Sequence, residues 1–136
     1  MTWRKLNQTW HYVEKWAQAR PEADALVFGD EKLTWREFKQ KMDDIARAFL
    51  EAGIEKGDRV ALLSMARNEF LTTYMAAGKV GAVWLGLSPK YTQDELRFQL
   101  NDCHPKLLIT LREYMGNDLS ATVGALMKEF SFLKKV

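Results

Sequence analysis

The chain is short of the residues that staple, break or anchor a polypeptide: one cysteine, three prolines, eight glycines and two histidines in 136 residues. A lone Cys103 closes no internal disulfide, which excludes a small secreted fold held by such bridges. No stretch is rich in Pro, Gly or Ser and no segment repeats at a fixed period, so residues 1–136 are expected to form a single domain. No apolar run approaches the ~20 residues of a membrane-spanning helix. Charge of one sign is also scarce. Twenty Lys and Arg against eighteen Asp and Glu leave +2, too little for the clustered basic footprint of a nucleic-acid binder. Met1-Thr2-Trp3-Arg4-Lys5 leads into polar Asn7-Gln8-Thr9, unlike the apolar stretch of a signal peptide, so a cytoplasmic location is expected. What remains is 47% hydrophobic, 12% aromatic and 28% charged, a composition that builds a packed core.

Periodicity places the elements. Leu6, Trp10, Val13 and Ala17 share one helical face, and Arg20-Pro21 ends that helix. Ala25–Phe28 and Glu31–Leu33 flank Gly29-Asp30 as a β-hairpin. Thr34-Trp35-Arg36-Glu37 fits a capping box, in which hydroxyl and carboxylate satisfy each other's backbone amides. Trp35, Phe38, Met42, Ile45 and Phe49 then form one apolar stripe, with Glu37–Lys41 and Asp43–Arg47 as expected ion pairs on the wet side, and Gly53 closes the helix. Arg59–Ser64 is a near-continuous apolar run, expected to be a strand buried on both faces. A helix over about Asn68–Lys79 follows, broken by Gly81. Ala82–Leu87 reads as a second buried strand. Thr92-Gln93-Asp94-Glu95 opens a second boxed helix, stopped by His104-Pro105. Lys106–Thr110 reads as a third buried strand, and a last helix covers about Asp118–Phe130. Strands alternating with helices imply a parallel sheet with right-handed crossovers. The expected fold is α/β: a three-layer, parallel strand-helix-strand-helix-strand core preceded by a helix and a hairpin.

Tests for chemistry in this frame return little. A GxGxxG loop needs glycines between strand and helix, but Ser64-Met65-Ala66-Arg67-Asn68 holds none. Gly78-Lys79 lacks both the earlier glycine (position 73 is Thr) and the following Ser or Thr (position 80 is Val) of a GxxxxGK[ST] loop. Gly78 is then expected to bring its helix close to the sheet, and Lys79 to be a solvated end charge. Cys103 and His104 are adjacent and point apart, so they form no chelating pair, and His11 is remote in sequence. Cys103 reads as a small buried hydrophobe and His104 as a helix end. Glu37 and Glu95 are explained as cap partners. Trp10, Trp35 and Trp84 fit core positions, while Trp3 and Trp16 stay unexplained. Residue chemistry alone singles out no catalytic, cofactor-binding or metal-ligating side chain.

The order of several segments is nevertheless familiar. Trp16-Ala17, Arg20-Pro21 and Ala25–Asp30 are followed by Leu33-Thr34-Trp35-Arg36-Glu37-Phe38, and then by Gly53-Ile54 with Lys56-Gly57-Asp58-Arg59-Val60-Ala61-Leu62. Next come Ala77-Gly78-Lys79-Val80-Gly81-Ala82-Val83 with Leu87-Ser88-Pro89, then Tyr91–Leu96, then Lys106–Thr110. This series resembles the N-terminal part of the adenylate-forming enzymes, the AMP-binding acyl-CoA synthetase and ligase superfamily. The resemblance covers about Tyr12 to Thr110. It implies a partial N-terminal subdomain of the acyl-CoA synthetase fold, and a parent acid–CoA ligase that uses ATP, Mg²⁺ and CoA to turn a carboxylic acid into its thioester. The family's Ser/Thr/Gly-rich phosphate loop, adenine and ribose motifs and catalytic lysine have no counterpart in these residues. The resemblance therefore implies no catalytic, cofactor or metal residue here, no cofactor in this part alone, and a scaffold role with the remainder of the synthetase as partner. Gly86 stands where the family usually has proline, and Ser88 where it has Asn or Asp. The Ser64–Asn68 loop also replaces a common L-P-N-S-P-like turn. Two other readings stay open: part of a peptide-synthetase adenylation domain, and a free-standing, non-enzymatic α/β interaction module. Ser131–Val136 resembles the lead-in to a further strand, which implies an open sheet edge and, for the isolated chain, a homodimer or other self-association, or marginal stability.

Overall fold

The computed structural model of the chain describes residues 6–133. Helix α1 (Trp10–Ala19) begins about a turn later than the spacing from Leu6 predicts. Leu6 lies before it and donates its amide to the Tyr12 hydroxyl at 3.3 Å. Strands β1 (Asp24–Phe28) and β2 (Glu31–Thr34) pair antiparallel around Gly29, whose φ of 57° suits a residue without a side chain. Thr34 caps α2 (Trp35–Glu51): its Oγ1 accepts from the Glu37 amide at 3.3 Å, and the Glu37 carboxylate accepts from the Thr34 amide at 2.8 Å. Backbone bonds to Thr34 hold the Glu37 carboxyl below its usual pKa.

Then come β3 (Arg59–Leu63), α3 (Asn68–Val80), β4 (Val83–Leu87), α4 (Gln93–Cys103) and β5 (Leu107–Thr110). The three strands form a parallel sheet in the order β4-β3-β5, with Val60 opposite both Trp84 and Leu107. Because β3 is central, Val60 through Leu63 are all buried. Alternation splits them between two cores. Val60 faces Val13, Phe38, Met42, Phe49 and Ala76 from α1, α2 and α3. Ala61 and Leu63 face Leu96 and Leu100 of α4 and Val123 and Leu126 of α5 (Leu119–Glu129). Helices thus cover both faces of the sheet, as expected of an α/β fold.

The outer strands differ from their sequence reading. Val83 is 53% exposed, Trp84 and Leu85 are half-buried, and in β5 only Leu107 is buried. An apolar run predicts burial on two faces, but a strand at the margin is also less covered by neighbouring helices. A second hairpin was not foreseen: β6 (Glu113–Tyr114) pairs antiparallel with β7 (Asn117–Asp118). Met115 and Gly116 both have positive φ, 50° and 79°, the pattern of a type I′ turn. Methionine in place of the usual Asn or Asp hid that turn. Asp118 then caps α5 by accepting from the Ser120 amide at 2.8 Å.

Lys79 is not a solvated end charge. Its ammonium donates to Glu14 on α1 and Asp43 on α2, each at 2.8 Å, and sits 4.9 Å from the Trp10 ring centroid. The expected Asp43–Arg47 pair is replaced accordingly: Asp43 takes Lys39 at 2.6 Å, and Arg47 lies 3.6 Å from Asp44. Glu37 turns its carboxylate to Thr34, so the expected pairing with Lys41 reduces to a longer-range attraction. Gly78 faces Thr9 and Trp10 rather than the sheet, and a Cβ there would meet the Thr9 Oγ1 at an ordinary 3.7 Å. Trp16 is accounted for by its ring 6.2 Å from that of Trp35. Trp3 lies outside the described residues.

Candidate functional site

Parallel strands end together, and the loops leaving their C-terminal ends converge on one side of the sheet. Here the loop after β3 (Ser64, Met65, Ala66) meets the loop after β4 (Ser88 to Tyr91) around a cleft of 420 Å³. These are two of the segments that depart from the family pattern. Ser64 anchors them: its amide donates to the Leu87 carbonyl at 3.1 Å, and its buried hydroxyl donates to the Met65 carbonyl at 2.9 Å. The Ser88 hydroxyl accepts from the Lys90 amide at 3.2 Å, and its carbonyl accepts from the Tyr91 amide at 3.1 Å, which folds that loop into a turn. Phe70 from the first turn of α3 and Tyr114 from the unforeseen hairpin complete the wall.

Gly86 has a specific reason. It shares a face of β4 with Trp84, and a Cβ on Gly86 would lie 2.8 Å from Trp84 Cη2 and 3.0 Å from Phe70 Cζ. The indole cannot swing aside freely. Phe70 meets it edge-on at 4.5 Å and Tyr74 at 5.6 Å, and its Nε1 donates to Thr73 Oγ1 at 3.3 Å. Glycine at 86 is therefore the counterpart of tryptophan at 84, and the ring occupies space that a proline would need.

The lining carries hydroxyls, aromatic rings and one ammonium, Lys90, but no imidazole, thiol or carboxylate. It can bind and orient a ligand, but it offers no general-base pair of ordinary type. Charged side chains flank the neighbouring N-terminus of α3. Glu69 occupies the first turn of α3, and Arg67 before it lies 3.4 Å from Glu69, 3.8 Å from Glu31 and over the Phe28 ring, while its buried Nε makes no hydrogen bond. Among the described residues there is no group of three His, Cys, Asp or Glu able to hold a metal ion.

The other residues singled out by sequence lie elsewhere. Gly78-Lys79 ends α3 and His104 precedes β5, both at the N-terminal ends of the strands and away from the cleft. Arg59 there donates to the His104 carbonyl at 3.2 Å. Cys103 is half-buried rather than enclosed, and burial pushes its thiol pKa up, opposite to the shift that activates a nucleophile. His11 lies edge-on to Trp10, 4.0 Å away. The sequence tests missed Phe70, Lys90 and Tyr114 as cleft residues, because each comes from a different element.

Comparison with known proteins decides the family. The profile of the AMP-binding enzyme family matches residues 13–133. The chain belongs to this family of adenylate-forming ligases. YngI of Bacillus subtilis (strain 168), an acyl-CoA synthetase by its name, is 30% identical over 124 residues, which is 90% of this chain and 23% of YngI. Bacitracin synthase 1 of Bacillus licheniformis is 31% identical over 127 residues, covering 92% of this chain and 2% of that protein. Among solved structures, acetoacetyl-CoA synthetase from Streptomyces lividans superposes with a TM-score of 0.85 at 25% identity, over 95% of this chain and 21% of that one. The anthranilate CoA ligase AuaEII, in complex with anthranoyl-AMP, shares the fold with a TM-score of 0.84 at 21% identity, over 96% of this chain and 24% of its own. The chain thus spans a quarter or less of each of these proteins. Among the described residues no helix is long and apolar enough to cross a membrane.

Proposed function

We propose that the chain is the N-terminal scaffold portion, a single domain-forming unit over residues 1–136, of an ATP-dependent acid–CoA ligase. The parent reaction is carboxylate plus ATP plus CoA to acyl-CoA, AMP and pyrophosphate. The observation that carries this reading is the match of 90% of the chain to 23% of a protein named for acyl-CoA synthesis. The cleft supports it from the other side. It is a binding surface at the strand ends, lined by hydroxyls, aromatic rings and the Lys90 ammonium. The described residues thus serve as one wall of a ligand site. ATP, Mg²⁺ and CoA belong with polypeptide outside these residues, in a cytoplasmic enzyme, and the remainder of the synthetase is the partner.

The likeness to bacitracin synthase 1 over 92% of the chain supports a second reading, in which the parent is a peptide-synthetase adenylation domain and the acceptor a carrier-protein thiol. One pair of experiments tests both. Calorimetry of the 136-residue chain with Mg-ATP is expected to give no measurable heat of binding, and micromolar affinity refutes the scaffold role. The parent protein, incubated with a panel of fatty, aromatic and amino acids, is expected to catalyse acid-dependent exchange of pyrophosphate into ATP. Thioester formation on free CoA then supports the first reading, and exchange with amino acids alone supports the second. No exchange with any acid favours the non-enzymatic module.

A further inference from the structure

The cleft has a neighbour. A second pocket, of 290 Å³, lies between the first hairpin and the start of α3, lined by Leu26, Val27 and Phe28 of β1 and by Arg67, Asn68 and Leu71. Ala66 and Phe70 line both spaces. Ala66 contributes only a methyl group, so the Phe70 ring is the larger part of the partition between them. That ring is held in place. Phe70 stands in the first turn of α3, its amide bonded to the Arg67 carbonyl at 3.1 Å, and a helical backbone denies the side chain the χ1 well that would drive it into the preceding turn. The Trp84 indole meets the ring edge-on at 4.5 Å, and that indole is itself bonded to Thr73 and packed on Tyr74. A Cβ on Gly86 would lie 3.0 Å from the ring tip, Cζ, so the ring uses the space that the missing side chain leaves. The two spaces differ in chemistry. The cleft carries hydroxyls and the Lys90 ammonium. The second pocket is walled by the apolar side chains of β1 and by Leu71, with one open donor, the buried Arg67 Nε. A ligand whose charged end is drawn to Lys90 and whose apolar end runs toward α3 therefore meets the Phe70 ring, with further apolar surface behind it.

We propose that Phe70 limits the length of the acid bound in the cleft, as a stop against the end of its acyl or aryl group. The proposal rests on the reading of the parent as an acid–CoA ligase whose acid lies in this cleft. With phenylalanine at position 70 the site takes short, compact acids. With a smaller side chain there, the apolar end passes into the second pocket and gains the surface of Leu26, Phe28 and Leu71. Phe70 takes no part in the chemistry; it selects among acids, and Trp84 and Gly86 hold it where it does so.

Exchange of pyrophosphate into ATP by the parent protein, measured over a homologous series of straight-chain and ω-phenyl acids, tests it. Phe70→Ala is expected to move the preferred acid to longer members of the series, each methylene that enters the second pocket adding about fourfold to kcat/KM. Phe70→Leu leaves a smaller void and should shift the preference in the same direction by less, and it carries the test if the alanine variant fails to fold. Leu71→Arg places a charge in the second pocket from a position that is 40% exposed, and it should cancel the gain of either Phe70 variant. Tyr74→Ala removes the other edge-on contact to Trp84 but lines neither space, so it should leave the length profile as in wild type and separate an opened passage from general loosening. An unshifted profile in both Phe70 variants overturns the proposal and leaves the ligase reading standing. So does a shift that Leu71→Arg leaves in place or that Tyr74→Ala reproduces. Exchange with amino acids alone, or with no acid, is the failure of the ligase reading itself and takes the proposal with it.

Discussion

Lys79 ties three helices together, and Lys79→Met measures that tie. The ammonium is about three-quarters buried at 26% exposure, and its partners Glu14 and Asp43 are 34% and 24% exposed. An exposed ion pair is worth ~0.2–1 kcal/mol, whereas stripping one partner from a fully buried pair costs ~3–5 kcal/mol. Lys79 lies between these limits and serves two carboxylates, and the contact with Trp10 adds ~0.5 kcal/mol. Methionine keeps the stem and loses the charge, so the loss should be about 2 kcal/mol, which is about 1 M in urea midpoint for a chain of this size. The pH dependence separates charge from packing. Burial by itself raises the Asp43 pKa, but hydrogen bonds from Lys39 and Lys79 outweigh it and leave the carboxyl lowered. Burial likewise opposes the Lys79 charge, and its bonds to Asp43 and Glu14 outweigh that and leave its pKa raised. A lowered acid stabilises fully above its unfolded value of ~3.9, and that contribution is lost as pH falls through the folded one. A raised lysine stabilises fully below its unfolded value of ~10.4, and that contribution is lost as pH rises through the folded one. The difference between wild type and Lys79→Met should therefore be flat from about pH 5 to 9 and shrink on either side. Urea titrations at fixed protein concentration across that range provide the measurement. An unchanged midpoint at neutral pH, or a difference that persists undiminished at pH ~3, refutes the reasoning.

Gly86→Ala should cost ~1–3 kcal/mol by crowding the Trp84 ring. The same change in a Trp84→Val background should cost far less, and a double-mutant cycle showing no coupling removes the proposed link between the two positions. Thr34→Ala should lower stability by ~0.5–2 kcal/mol through loss of its cap on α2, read as a shifted denaturant midpoint at constant slope. Cys103 should react with a thiol reagent at pH 8 more slowly in the native chain than in urea, because burial raises its pKa, and equal rates would contradict its placement.

Much of the fold was legible because the signals were local. Both capping boxes, the Gly29 hairpin and the strand-helix alternation from Arg59 onward each depend on residues within a few positions of one another, where backbone geometry and period decide the outcome. The resemblance to the AMP-binding family rested on the same one-dimensional order, and the family profile bears it out over residues 13–133. Pattern could not decide what depends on distance across the fold. The order β4-β3-β5 made the centre of the sheet fully buried and left Val83 and most of β5 at its margins. Lys79 meets Glu14 from 65 positions away, so no helical spacing could anticipate the pair. The cleft draws Ser64, Phe70, Lys90 and Tyr114 from four separate segments. Gly86 is a departure from the family in sequence and a necessity in space, since only packing puts the Trp84 ring where its side chain would be. Local chemistry thus determined the elements, and long-range packing, through burial and the pairing of distant charges, decided which surfaces they present.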